Sequence, residues 1–301
     1  MRSRHPADIE RTNNNRRTKA VQKFDPRPNP EMSIQVVSDL HLEVGKAYEI
    51  FEIEPKAPHL ALLGDIGNVA AHKDAFLAFL TRQLRQFQTV MLVLGNHEAY
   101  HSSWPETLEI LHTFQQESTA LGKDPSLGEF VLLDRGVWRL PNSNNTVVLG
   151  CSLFSHVPPE SEMAVSMGLN DFYQIGRWDV AAHNERHQRD LAWLNEQVTG
   201  LEGSDARIAI FSHWSPSRDA RAADPRHAGS SISPGFSTDL SGEKCFKSGN
   251  VKLWAFGHTH YNCDFEADRG GAAGPLRIMA NQRGYYFAQS GGFDVGRTVE
   301  V

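Results

Sequence analysis

Five apolar runs in this chain break off in the same way, each giving way to side chains that carry oxygen or imidazole nitrogen. They read "IQVVSDLHLE", "LALLGDI", "TVMLVLGNHE", "ARIAIFSH" and "VKLWAFGHTH", and they deliver Asp39 and His41, Asp65, Asn96 and His97, His213, and His258 and His260. A strand turns successive side chains to opposite faces, so Asp39 and His41 share a face, as do His258 and His260. Buried carboxylates and imidazoles need partners. A chain that places them at five strand ends is constrained to bring those ends together. Glycine stands before three of the groups, as Gly64, Gly95 and Gly257, where the backbone must turn sharply.

The apolar runs predict strands over 34–40, 60–66, 89–95, 146–154, 206–213, 251–258 and 276–282. Between them, "KDAFLAFLTRQLRQF" puts Phe76, Phe79, Leu80, Leu84 and Phe87 on one helical face. "SSWPETLEILHTFQQESTALG" opens on a serine cap with Pro105 in its first turn and closes at Gly122, and a third helix is expected over 178–198. Strand–helix alternation implies α/β architecture with parallel strands and right-handed crossovers. Such sheets place ligands at the carboxyl ends of their strands, where the donors stand. Segments 155–177 and 214–250 lack a regular pattern, and loops of that length are functional or disordered.

Residues 1–31 are polar, basic and punctuated by proline, which reads as a disordered leader before a single domain over 32–301. The leader holds eight Lys/Arg against four Asp/Glu, so within a net charge of −6 the remaining chain carries about −10. An acidic body argues against a nucleic-acid partner, which asks for a basic groove. The absence of a long apolar stretch argues against a membrane span, and the N-terminus lacks the apolar core of a secretory signal. Cys151, Cys245 and Cys263 are odd in number and widely spaced, as suits reduced thiols. The expectation is a cytoplasmic protein.

Two carboxylates, one amide and four histidines form a hard-to-borderline donor set suited to Mn²⁺, with Fe or Zn²⁺ as alternatives. Seven donors are too many for one tetrahedral zinc. Two metals sharing one carboxylate is the economical arrangement, and a pair about 3.5–4 Å apart is a standard phosphoryl-transfer device.

In order, "SDLHLE", "LGDIGN", "LGNHEAY", "FSHWS" and "FGHTHYN" match D-x-H, G-D, G-N-H-E/D, H and G-H-x-H. The chain thus resembles the calcineurin-like metallophosphoesterase family, and "NQRGYYF" and "GLNDFYQI" resemble its branch that is not composed of protein phosphatases. The resemblance implies a four-layer αββα sandwich of two mixed sheets flanked by helices. It implies one metal on Asp39, His41, Asp65 and His260, and another on Asp65, Asn96, His213 and His258. It further implies a phosphoesterase acting on a small phosphorylated substrate (a phosphomonoester, phosphodiester or nucleotide) by in-line attack of a metal-bridging hydroxide, with His97 as general acid. Alternatives are a non-catalytic scaffold and a non-phosphoester reaction at the same metals. Asn68 and Leu94 stand where protein phosphatases carry an aspartate and an arginine, which removes the usual orienting acid and phosphate clamp.

Tyr100, Asn170, Asp171 and Arg283 are candidate substrate contacts, with His101 beside Tyr100, and Arg283 is also open to a structural ion pair. Glu43 continues the alternation of Asp39 and His41, as a support for a ligand or a surface acid. His183 and His187 stand at i, i+4 on the third helix, which could mimic a metal pair. With no Glu after the first and a complete ligand set elsewhere, they read as helix-face residues. His156 and His227 read as loop surface.

Overall fold

Alternate strand residues are sorted into different apolar layers, and this sorting builds the molecule. The computed structural model describes residues 33–301 except 46, 121–125, 142 and 144, so the expected leader and the expected helix end at Gly122 lie outside the described residues. One sheet runs β13-β1-β2-β3-β4, with β1 (Ser33–Val37), β2 (His59–Leu63), β3 (Thr89–Val93), β4 (Glu129–Leu132) and β13 (Thr298–Glu300). The other runs β5-β6-β7-β8-β10-β9, with β5 (Gly136–Arg139), β6 (Thr146–Cys151), β7 (Arg207–Ser212), β8 (Val251–Phe256), β9 (Cys263–Ala267) and β10 (Leu276–Ala280). Strands β1 to β4 are parallel, as are β6, β7, β8 and β10, while β13, β5 and β9 join antiparallel.

The middle layer lies between the sheets. Ile34, Val36, Ala61, Leu63, Met91 and Val93 of the first sheet meet Val148, Ala209, Phe211, Leu253, Ala255 and Met279 of the second. The intervening residues of the first sheet, Leu60, Leu62, Val90 and Leu92, pack outward with Phe76, Phe79 and Leu80 of α2 (Lys73–Leu84) and Leu111 and Phe114 of α3 (Trp104–Ala120). Those of the second, Val147, Leu149, Ile208 and Ile210, pack with Leu194 and Val198 of α6 (Val180–Gly200). The order is therefore helix, sheet, sheet, helix, a four-layer αββα sandwich. Each fully buried large side chain contributes about 1.5–3 kcal/mol by leaving water.

The three expected helices form. Ser103 Oγ accepts from the Glu106 amide at 3.5 Å at the start of α3, and Asp179 accepts from Ala182 N at the start of α6. Each expected strand ends two or three residues early, except that β7 ends one residue early, and at β1, β2, β7 and β8 the residues left out of the ladder include the donors. Unforeseen are β4, β5, β9 and β13, and the hairpin of β11 (Gly284–Tyr285) and β12 (Ala288–Gln289).

The segments without pattern carry short helices: α4 (Glu162–Gly168), α5 (Asp171–Gln174) and α7 (Lys244–Lys247). Val157, Val165, Leu169 and Val180 form a small apolar cluster with Phe172, Ile232 and Phe236 beside them. The remaining helix, α1 (Ala47–Ile50), packs against α2. Among the described residues, no helix is long and apolar enough to cross a membrane. At the carboxyl ends of β1 and β10, Ser38 bridges to Gln282 in parallel fashion, so the two sheets meet where the donors begin.

Candidate metal centre

Five of the seven expected ligands, Asp39, His41, Asp65, His258 and His260, sit in left-handed backbone, with φ between 48° and 69°. A non-glycine residue in that region costs about 1–2 kcal/mol. The turns are held from outside. The Asp39 amide donates to Gly64 O at 3.0 Å, the His41 amide to Asp65 O at 2.9 Å, and the His258 amide to the Asp39 carboxylate at 3.1 Å. The left-handed turn ends each strand and swings its polar side chain over the sheet edge. Two glycines permit the loops to press together: a Cβ on Gly64 would lie 2.4 Å from His213 Nδ1, and one on Gly95 would lie 2.3 Å from Asp65 Oδ1.

The side chains converge as two clusters. Asp39, His41 and His260 form one: His260 Nε2 lies 3.2 Å from Asp39 Oδ1 and 3.0 Å from His41 Nε2. Asp65, His213 and His258 form the other, with His213 Nε2 3.5 Å from Asp65 Oδ1 and 3.3 Å from Asn96 Oδ1. Asp65 stands between them, its Oδ2 3.9 Å from His41 Nε2 and its Oδ1 towards His213. The outward nitrogens are occupied, as they are in ligating histidines. His213 Nδ1 donates to Leu63 O at 2.7 Å, and His41 Nδ1 donates to Glu43 Oε1 at 3.2 Å. Burial raises the Asp65 carboxyl, but His213 and His97 outweigh it and hold the group well below the usual carboxylate range. Burial pushes the His258 imidazole well down, so it stays neutral.

His97 lies beside both clusters, its Nε2 3.9 Å from Asp65 Oδ2. Its Nδ1 donates to Glu43 Oε1 at 2.8 Å. Burial opposes its charge, but Asp65 and Glu43 raise its pKa to about 9. One Glu43 oxygen thus serves His41 and His97 together, and the carboxyl falls to about 2 because these bonds outweigh burial. Glu43 occupies the orienting place that the sequence leaves open at Asn68. Asn68 itself donates to the His97 carbonyl at 2.8 Å, and Leu94 is buried in the helix-side core.

Glu98, the last residue of the G-N-H-E/D match, was given no role by the sequence. Its buried carboxylate accepts from the backbone amides of Asp65, Ile66 and Gly95 at 3.0, 2.8 and 2.7 Å, tying two ligand loops together. Burial and the Asp65 charge raise it to about 7.

The candidate substrate contacts fall apart into different places. Tyr100 is buried and stacks on His97 with centroids 4.1 Å apart. Asp171 is buried, and its Oδ1 accepts from Asn96 Nδ2 at 2.8 Å and from the Tyr100 hydroxyl at 2.7 Å, which turns the Asn96 carbonyl towards His213. Asn170 is exposed at the start of α5. Arg283 donates from Nη1 to Leu40 O at 2.8 Å and lies over the Phe51 ring, without an acidic partner in those contacts. His101 is exposed, as are His156 and His227. His183 and His187 are buried against the 153–155 turn: Ser155 N and Oγ reach His183 Nε2 at 3.2 and 3.0 Å, and His187 Nδ1 donates towards Leu153 O and Phe154 O. A simple exposed helix face would not give that burial. Tyr285 was not singled out, and its ring lies 4.3 Å from that of His41 and 4.7 Å from that of His260.

The donor set fits divalent cations. His258 Nε2 is buried and has no hydrogen-bond partner among the described residues, and two imidazole nitrogens face each other at 3.0 Å across the first cluster. An oxygen–imidazole pair of clusters sharing Asp65, at the strand ends of an αββα sandwich, defines a dinuclear metallohydrolase centre. A calcineurin-like phosphoesterase model matches residues 32–262. The chain belongs to the calcineurin-like phosphoesterase family, and it is a metal-dependent phosphoric ester hydrolase.

A phosphopantetheinyl hydrolase from Mycobacterium tuberculosis has a similar fold at 16% identity, with a TM-score of 0.61 over 84% of this chain and 89% of that one. A dimetal phosphatase from Danio rerio aligns at 16% identity with a TM-score of 0.49, over 84% of this chain and 87% of the other. No curated protein matches the chain.

Proposed function

We propose that the protein hydrolyses a small phosphorylated molecule, a phosphomonoester, phosphodiester or nucleotide, with Mn²⁺ as the leading candidate metal. The observation that carries this reading is the placement of Asp65 between two donor clusters with His97 at its edge. Asp39, His41, Asp65 and His260 would hold one cation, and Asp65, Asn96, His213 and His258 the other. When bound, the cations supply Lewis acidity to the phosphoryl group and acidify water.

The chain's own residues do the remainder. His97, held by Glu43 at Nδ1, presents Nε2 to the leaving oxygen and delivers a proton to it, while its positive charge offsets charge developing on phosphorus. Glu43 and Leu63 O hold His41 and His213 in the tautomer that leaves Nε2 free. Asp171 fixes the rotation of Asn96 so that its carbonyl, rather than its amide nitrogen, faces the site.

A Mn²⁺-supplemented panel of nitrophenyl phosphate, bis-nitrophenyl phosphate, cyclic nucleotides and nucleotide diphosphate sugars tests the reading. Chelator-sensitive turnover of at least one class supports it. No turnover of any class by metal-loaded protein would remove it.

A further inference from the structure

The hairpin 284–289 lies at the mouth of the centre without supplying any of the seven expected ligands. Its base is bonded to the loops that carry ligands: the Gly284 amide donates to Asp39 O at 3.0 Å, and Ser290 Oγ donates to His260 O at 2.7 Å. Arg283, bonded to Leu40 O and lying over Phe51, holds the same base. At the start of the hairpin, Tyr285 packs against His41 and His260, and its hydroxyl lies 3.4 Å from His97 Nε2. Since Nδ1 of His97 belongs to Glu43, Nε2 is the nitrogen left for a leaving oxygen. The Tyr285 hydroxyl therefore marks the leaving-group side of the site. The next ring outward is Phe287, parallel to Tyr285 within 5° at a centroid distance of 5.6 Å, and it is 82% exposed.

Adjacent exposed aromatic rings at the rim of a site mark a surface for an apolar or planar partner. Tyr286 adds a second ring that is 70% exposed. Continuity with the histidines points to part of the substrate as the occupant, because the aromatic ladder starts inside the site. Its spacing narrows the chemistry. A ring attached directly to the ester oxygen would meet Tyr285, whereas a planar group stacked on Phe287 stands one ring further out. A sugar between phosphate and base spans that gap.

On the basis of the phosphohydrolase reading above, we infer that the 284–289 hairpin is the leaving-group subsite for a nucleoside-type alcohol, with Phe287 as the face on which its base stacks. Base stacking on an aromatic side chain of this kind places selectivity of roughly tenfold or more on the one ring.

AMP and ribose 5-phosphate, which carries a hydroxyl where AMP carries its base, form the test pair. For Phe287→Ala, the ratio of their kcat/KM values should fall about tenfold, and Phe287→Trp should restore it. Saturation-transfer NMR with adenosine, which needs no turnover, should show base-proton signals in the wild-type protein that vanish in Phe287→Ala. A kcat/KM ratio within twofold of wild type, or undiminished adenosine signals in Phe287→Ala, overturns the subsite. If the wild-type protein hydrolyses neither monoester, the panel above decides the hydrolytic reading, and the adenosine signals decide the subsite by themselves.

Discussion

Glu43 places one oxygen between His41 and His97, which on the proposed function face a metal position and the leaving group. Replacing His97 with alanine should leave metal content intact and lower kcat on an alkyl phosphomonoester by about 10²–10⁴. An unchanged kcat would exclude the general-acid role. Glu43→Gln should reduce metal affinity or activity by about 10–100-fold, since it weakens the orientation of His41 and His97 together. Measurement of bound metal and kcat in the same samples separates the two effects. The donors of the centre were legible in the sequence because each follows an apolar run at fixed spacing. Asp171 and Glu98 were not legible as supports, because they act through Asn96 and through backbone amides that only the fold brings near. Tyr285 escaped notice for a similar reason: a tyrosine in a two-residue strand carries no periodic signal.

At the level of elements, strands β1, β2, β3, β6, β7, β8 and β10 are buried on both faces, so alternation could not locate them and continuous apolar runs did. Strands β4, β5, β9 and β13 were missed because none of them carries a continuous apolar run of more than three residues. Their place is set by neighbours in the sheets. Phe211 lies between the sheets and is fully buried, so Phe211→Ala should cost about 3–5 kcal/mol in urea unfolding. A cost below about 1 kcal/mol would contradict the close contact of the two sheets.

Helix α6 carries a different liability. His183 is buried neutral, and burial lowers its pKa to about 3. As pH falls below about 6.5, the unfolded chain takes up the proton first, so stability declines between about 6.5 and 3 by up to roughly 1.4 kcal/mol per unit. The stability that His183 provides is fully present above that window. His183→Gln should flatten this slope, and an unchanged slope would show that the group titrates normally in the folded protein.

For the whole molecule, the match to the family begins at residue 32, and among the described residues the first strand begins at Ser33. We propose that a chain starting at Met32 keeps its melting temperature within about 2 °C and its metal content, as circular dichroism and elemental analysis would establish. A drop of about 1 kcal/mol in stability shifts Tm by roughly 2–4 °C at this size, which sets the scale of a detectable contribution from residues 1–31. On the proposed function, Asp65 joins two metals into one centre. Elemental mass spectrometry on purified, metal-loaded protein should find close to two divalent transition-metal ions per chain. In Asp65→Asn it should find fewer than one, with hydrolysis lost. Two ions retained by Asp65→Asn, or full activity from a metal-free chain, would contradict the account.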